Sequence, residues 1–144
     1  MTELDAALVR RKLTSIVRNL RDLKDIVGLS LDEYTRDRFR QKGAERMLQE
    51  VVEAAVDVNV HLLRGLGCAA PPDYYQSFIQ MGAQGVLHNE FAALLAPSAG
   101  LRNRLVHEYD DIDDAKVLEA FGLAQQYFGD YVAAIDDWLS GRGI

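Results

Sequence analysis

The sequence has little of what marks a secreted, membrane-inserted or disulfide-stabilised protein. Its single cysteine, Cys68, excludes an internal disulfide and is typical of a reducing compartment. No apolar run approaches the ~20 residues that a membrane span requires, and residues 1–13 are too polar for a signal peptide. We therefore expect a cytoplasmic protein that has no membrane as a partner.

Other patterns that the sequence lacks limit the fold classes and the kinds of catalytic site that it can form. No stretch alternates apolar and polar residues as a half-buried strand would, and no internal repeat stands out. The segment Gly82-Ala-Gln-Gly85 lacks the lysine of a phosphate-binding glycine loop, and Cys68 has no visible histidine partner that would activate a thiol nucleophile. Nothing marks a boundary within residues 1–144, so we expect a single domain with its own core.

Positive charge is scarce over most of the chain. The net charge of -6 disfavours a polyanionic partner. Residues 1–46, however, hold eleven Lys/Arg against eight Asp/Glu, whereas residues 47–144 hold five against fourteen. Two interpretations remain open: the charges mark helix faces that meet water, or a basic set helps an RNA or a partner approach a cleft. That set is Arg10, Arg11, Lys12, Arg36, Arg38, Arg40 and Lys42.

What the sequence does contain is helical periodicity. Apolar residues recur at steps of three, four or five from Leu4 to Val27, where Gly28 is predicted to form a left-handed cap. They recur at alternating steps of four and three from Val117 to Trp138. Between them, the pattern predicts helices that break near Gly82 and Gly85 and stop before Pro97. The predicted N-caps are Ser30 (in a capping box with Glu33), Asp73, Ser98, and Asp111 or Asp113. The sequence predicts an all-α, antiparallel bundle of four or five helices.

The densest group of polar side chains is Arg102-Asn-Arg-Leu-Val-His107-Glu-Tyr109. Arginine grips phosphate with two parallel hydrogen bonds, and histidine, with an ordinary pKa of ~6.5, transfers protons at neutral pH. These residue types favour a site for breaking a phosphodiester. On a regular helix, however, Arg102 and His107 lie about 140° apart. Either the helix ends near His107 and lets the ring turn back, or the two groups meet their counterparts across a two-fold axis.

The same residues have structural interpretations. Arg102 could be a surface residue, His107 a cation that stabilises a helix C-terminus, and Tyr109 a residue that packs over a helix junction. On the central helix, Glu53, Asp57 and His61 share one face as a polar row, but three weak ligands on one helix rarely close a metal site. We therefore predict no metal, and Asp57 is a candidate for orienting Arg102 or His107.

The motif resembles the Arg-x4-His-x-Tyr signature of the HepT-like toxins, which belong to the HEPN superfamily of small helical ribonucleases. The following Asp110-Asp111-Ile112-Asp113 is similar to that family's link into its last helix, and residues 49–61 are similar to its central helix. With chain length and helix order, the resemblance covers nearly the whole chain. It implies a HEPN-like bundle.

The resemblance also implies a function. Such proteins form homodimers with the cleft at the two-fold axis and cut RNA without a metal or other cofactor. Arg102 and His107 match the catalytic positions. Their operon partner is a minimal nucleotidyltransferase antitoxin, which silences the toxin by attaching AMP to the motif tyrosine, here Tyr109.

We therefore expect a metal-independent endoribonuclease toxin of a type VII system of the HepT/MntA kind, with Asn103 and Asp57 in supporting roles. An alternative from another class is a non-catalytic helical adaptor that serves as the substrate-binding subunit of a nucleotidyltransferase, with Arg102 and Tyr109 at the interface. A third is a structural dimerisation module built on the seam from Phe121 to Trp138.

Overall fold

The computed structural model describes residues 4–107 and 111–144. Over these residues the chain is helical and contains no strand, as the sequence predicts. The helices are α1 (Ala6–Asp22), α2 (Lys24–Val27), α3 (Leu31–Arg36), α4 (Arg38–Gly65), α5 (Tyr74–Ala83), α6 (Asn89–Leu95), α7 (Ser98–His107) and α8 (Asp114–Gly141). In the described part, no helix combines the length and apolarity that crossing a bilayer requires.

Seven of the eight helices form the four arms of an up-and-down bundle, and the short α3 connects the first arm to the second. The arms are α1 with α2, then α4, then α5 to α7 in series, and finally α8. Lys12 on α1 contacts Asp57 on α4, whereas Asn19, later on α1, contacts the earlier residue Glu50. The two helices therefore run in opposite directions, and short connections between such neighbours are typical of this architecture. The predicted antiparallel bundle is confirmed.

Local capping signals set several helix starts as predicted. The Ser30 side chain accepts a hydrogen bond from the Glu33 amide, and the Glu33 carboxylate accepts one from the Ser30 amide, which completes the capping box of α3. Asp73 caps α5 and Asp113 caps α8, each by accepting hydrogen bonds from first-turn amides. Gly85 has a φ of 76°, and the helical arm breaks there between α5 and α6.

Three local predictions are wrong. The apolar pattern predicts one long helix from the Ser30 cap to Leu62, but the helix that Ser30 caps ends at Arg36, because the Asp37 side chain caps a new helix by accepting from the Arg40 amide. Ser98 is already the first residue of α7, and its hydroxyl donates to the Leu95 carbonyl instead of capping. Gly28 has a φ of −91°, so the stop after α2 needs no left-handed residue.

A buried hydrogen-bond network ties α8 to α4 and α5. The Tyr131 hydroxyl donates to Asn59 Oδ1 at 2.6 Å and lies 3.0 Å from the Ala55 carbonyl, and Asn59 Nδ2 donates to Ser77 Oγ at 3.1 Å. Burial raises the pKa of Tyr131 well above its ordinary value, so the hydroxyl stays protonated as a donor. The Tyr131 ring also packs edge-on against Phe78 and Phe128. This network fixes the register of α5 and α8 against α4.

We expect Tyr131→Phe to lower the free energy of unfolding by about 1–3 kcal/mol, because Asn59 Oδ1 would lose a donor that water cannot replace. Urea unfolding followed by circular dichroism measures the change. Tyr127→Phe is the matched control, since Tyr127 is only half-buried. Equal stability of the Tyr131→Phe variant and the unmodified protein would show that the network contributes nothing.

Candidate active site

Helix α7 carries the motif and lies along α4. Ala99 is buried, and Leu101 and Leu105 are half-buried against the core, so one side of this ten-residue helix is anchored. Arg102 therefore lies where α7 faces α4, with its side chain 18% exposed. The position of this cation is set by packing of the helix and not by a mobile loop.

Arg102 is held by three neighbours. Its Nη2 donates to Glu53 Oε2 on α4 at 3.0 Å, and its Nη1 donates to Asn103 Oδ1 at 3.3 Å. The guanidinium carbon also lies 4.9 Å from the centroid of the Tyr74 ring on α5. A paired charge and an aromatic face are the surroundings in which a half-buried guanidinium is stable. Among the described residues, the buried Nε has no hydrogen-bond partner.

Glu53 is ionised in this arrangement. Partial burial by itself raises the pKa of a carboxylate, but the hydrogen bonds from Arg102 and from Gln49, whose Nε2 lies 2.9 Å from Oε1, outweigh that effect. The pKa of Glu53 therefore lies below its ordinary value. The pair is a permanent ion pair at neutral pH.

His107 is the last residue of α7 and is exposed. The helix remains regular from Arg102 to His107, so the two side chains leave the axis about 140° apart. Among the described residues, no hydrogen bond or ion pair joins them. Of the two arrangements open from the sequence, the structure does not show the ring turned back toward Arg102 within one chain.

The remaining predicted site residues are Asn103, Asp57 and Tyr109. Asn103 is adjacent to Arg102 and accepts its hydrogen bond. Asp57 is exposed and forms an ion pair with Lys12 of α1 at 2.8 Å, so in one chain it contacts neither Arg102 nor His107. Tyr109 lies outside the described residues.

The polar row on α4 is divided among three partners. Glu53 binds Arg102, Asp57 binds Lys12, and His61 Nε2 accepts a hydrogen bond from the Asp5 amide at 2.9 Å. Within residues 4–107 and 111–144, no group of three or more His, Cys, Asp or Glu side chains is arranged to hold a metal ion.

Sequence reasoning did not identify the pairing of Arg102 with Glu53 or the contact with Tyr74. Glu53 was visible only as a member of the polar row, and its partner lies 49 residues away in the chain. A cavity of about 560 Å³ lies between α4, α6, α7 and α8. Arg104 lines that cavity whereas Arg102 and His107 do not, so the cavity is separate from the proposed catalytic pair.

Known proteins resemble nearly the whole chain in sequence. A family profile described as "Ribonuclease HepT-like" matches residues 16–135. The chain is 40% identical over 139 residues to the tRNA nuclease HepT of Aphanizomenon flos-aquae, covering 96% of this chain and 95% of that protein. It is 30% identical over 89 residues to a putative RNase of Archaeoglobus fulgidus, covering 61% of this chain and 66% of the relative.

Solved structures show the same fold at low sequence identity. The tri-AMPylated HEPN toxin of Shewanella oneidensis, solved in complex with an MNT antitoxin, superposes with a TM-score of 0.82 at 20% identity, covering 95% of this chain and 99% of that one. YutE of Bacillus subtilis, a cytosolic protein of unknown function, gives a TM-score of 0.84 at 15% identity, covering 99% and 95%. The expected HEPN-like bundle is confirmed.

The ion pair between Arg102 and Glu53 should make the free energy of unfolding depend on pH in the acidic range. Because the folded-state pKa of Glu53 is lowered from 4.5, the contribution is fully present above that value and is lost as the pH falls through the folded-state pKa. We expect Glu53→Gln to cost about 1 kcal/mol at pH 7, since part of the pair's attraction is screened by water, and to cost progressively less below pH 4.5. Urea unfolding of both proteins from pH 7 to pH 3 measures the difference. A difference that is constant with pH would contradict the pairing.

Proposed function

The chain belongs to the HepT-like ribonuclease family, and we propose that it is an endoribonuclease toxin that cuts tRNA at a cleft between two copies of itself. The observation that carries this proposal is that α7 presents a rigidly held Arg102 and, five residues later, an exposed His107. The Aphanizomenon flos-aquae relative, which aligns over nearly the full chain, supports tRNA as the substrate.

The geometry of one chain supports a homodimer. Cleavage by attack of a ribose 2′-hydroxyl needs a base and an acid, and one imidazole cannot fill both roles in one step. His107 and Arg102 also leave α7 in different directions. A two-fold axis beside the end of α7 would bring two copies of each side chain to one scissile phosphate.

In this mechanism His107 removes the proton from the 2′-hydroxyl, whose oxygen attacks the adjacent phosphorus. The bond from phosphorus to the 5′-oxygen breaks, and His107 of the partner subunit protonates that oxygen. The products are a 2′,3′-cyclic phosphate and a free 5′-hydroxyl. No metal ion takes part, because the two imidazoles supply both proton transfers.

Arg102 stabilises the charge that builds on the phosphate oxygens. Glu53 and Tyr74 fix the guanidinium before substrate arrives, so the side chain loses little conformational entropy on binding. Asn103, which accepts from Nη1, supports the same orientation. Asp57 would assist only if the second subunit drew it away from Lys12.

We also propose that a minimal nucleotidyltransferase antitoxin silences the protein by attaching AMP to Tyr109. The support is the match of Tyr109 to the motif tyrosine and the AMPylated state of the Shewanella oneidensis toxin. A nucleotide two residues after His107 would add an anion near Arg102. Repulsion and bulk would then exclude an RNA phosphate.

We expect His107→Ala to reduce tRNA cleavage by about 10²–10⁴-fold, because both proton transfers are lost, with no change in thermal unfolding since the side chain is exposed. Denaturing gel electrophoresis of a labelled tRNA measures the rate. The control is His88→Ala, which removes another exposed histidine. EDTA should leave the rate unchanged. Full cleavage by the His107→Ala variant, or its loss in EDTA, contradicts the mechanism.

Co-expression with the partner nucleotidyltransferase should add one or more AMP groups to the segment that contains Tyr109, and cleavage should be lost. Peptide mass spectrometry locates the groups. Tyr109→Phe should remain unmodified at this position and stay active in the presence of the transferase. If the protein instead binds the transferase without modification and never cuts RNA, the adaptor function is the correct one.

A further inference from the structure

One face of α4 carries a row of cations that leads toward Arg102. Arg38, Lys42 and Arg46 follow at steps of four, and Gln49 continues the row at a step of three. At ~100° per residue these four positions lie within about 80° of one another around the helix axis. We refer to Arg38, Lys42, Arg46 and Gln49 as the α4 stripe.

The α4 stripe lines an open, shallow groove. Its residues, together with Glu45 and with Leu105 of α7, border a volume of about 340 Å³. The groove connects to the site, because Gln49 donates to Glu53 and Glu53 holds Arg102. From Arg38 to Glu53 the helix rises about 22 Å, which is long enough for several nucleotides.

The acidic neighbours of the α4 stripe offset its charge only in part. Lys42 pairs with Glu45 at 3.3 Å, but the Glu45 side chain is only 8% exposed and is also occupied by the Tyr34 hydroxyl, which donates at 2.7 Å. Arg46 contacts the partly exposed Glu50 through Nε, and no hydrogen bond from its two terminal nitrogens occurs within the described residues. The terminal nitrogens of Arg46 therefore remain without a carboxylate partner among those residues.

Some other cations of the basic N-terminal part have structural partners. Arg10 binds Asp136 and the Ile144 carbonyl, Lys12 binds Asp57, and Arg36 binds Asp32. Among the described residues, Arg38 forms no ion pair. The cations of the α4 stripe differ from the exposed cations of α1 and α2 because they line the groove that leads to Arg102.

An exposed aromatic ring stands beside the α4 stripe. Phe39 is 91% exposed, the most exposed large hydrophobic residue of the described chain. It follows Arg38 directly and precedes Lys42 by three residues, so Phe39 and Lys42 are neighbours on the helix surface. Cations that follow a backbone and an aromatic face for bases are the combination by which proteins bind single-stranded nucleic acid.

We propose that the α4 stripe is a binding track for a single-stranded RNA segment, whose phosphates contact Arg38, Lys42 and Arg46 while a base stacks on Phe39. The track delivers the strand to Arg102. This inference rests on the proposed function for the identity of the ligand, but binding along α4 is a separate property from cleavage by His107.

The test uses a fluorescent single-stranded RNA in which every 2′-hydroxyl is methylated, so that attack by that oxygen is impossible. Fluorescence anisotropy gives its dissociation constant from low to high salt. The variant replaces Arg38, Lys42 and Arg46 with glutamine. Loss of three phosphate contacts should weaken binding by about 10–100-fold at 0.1 M salt and make the salt dependence shallower by about 2 in log–log slope.

The matched control replaces Arg11, Arg18 and Lys24, three exposed cations on α1 and α2, with glutamine. It removes the same charge from the chain and should bind like the unmodified protein. A second variant, Arg38→Lys with Lys42→Arg and Arg46→Lys, retains the charge and should retain binding. Equal loss in the control and in the α4 stripe variant would mean that only net charge matters, which overturns the inference.

Phe39→Leu separates stacking from charge. It should weaken binding by about 5-fold or more, because the ring is lost, and should leave the salt slope unchanged. If the α4 stripe variant binds RNA normally but loses the nucleotidyltransferase, the face is a protein-docking surface and the inference fails. If the unmodified protein never cuts RNA but binds the methylated strand through the α4 stripe, the proposed function fails and this inference stands.

Discussion

A guanidinium that is mostly withdrawn from water must have a fixed counter-charge, and the contact between Arg102 and Glu53 meets this requirement. The contact joins α7 to α4, so the helix that carries the motif is tied to the central helix of the bundle. The network of Tyr131, Asn59 and Ser77 sets α4 in turn against α5 and α8. The position of one cation thus depends on the register of the whole bundle.

The two motif residues differ in how they are held. Arg102 is paired, stacked on Tyr74 and anchored, whereas His107 ends α7 in solvent. A cation that stabilises charge is most effective when it is oriented in advance, while a group that transfers protons must reach the substrate. A regular helix between them keeps the groups apart in one chain. Under the proposed mechanism, this separation requires a second subunit to complete the site.

The sequence predicts the elements that depend on neighbouring residues. The capping box of Ser30 and Glu33 and the caps at Asp73 and Asp113 are confirmed because each hydrogen bond spans at most three residues. The pairing of Arg102 with Glu53 could not be predicted, since it depends on how α7 packs on α4. Ser98 failed as a cap because the helix begins at Ser98 itself and its hydroxyl bonds backward.

The acidic total charge and an RNA ligand are compatible because exposed charges act over about 8–10 Å in physiological salt. The basic and acidic parts of the chain partly neutralise each other at the surface of the bundle: Arg10 reaches Asp136 of α8, and Lys12 reaches Asp57 of α4. A phosphate near α4 responds to Arg38 and its neighbours more than to distant carboxylates. Net charge therefore describes this protein less well than the placement of the few cations that line the groove on α4.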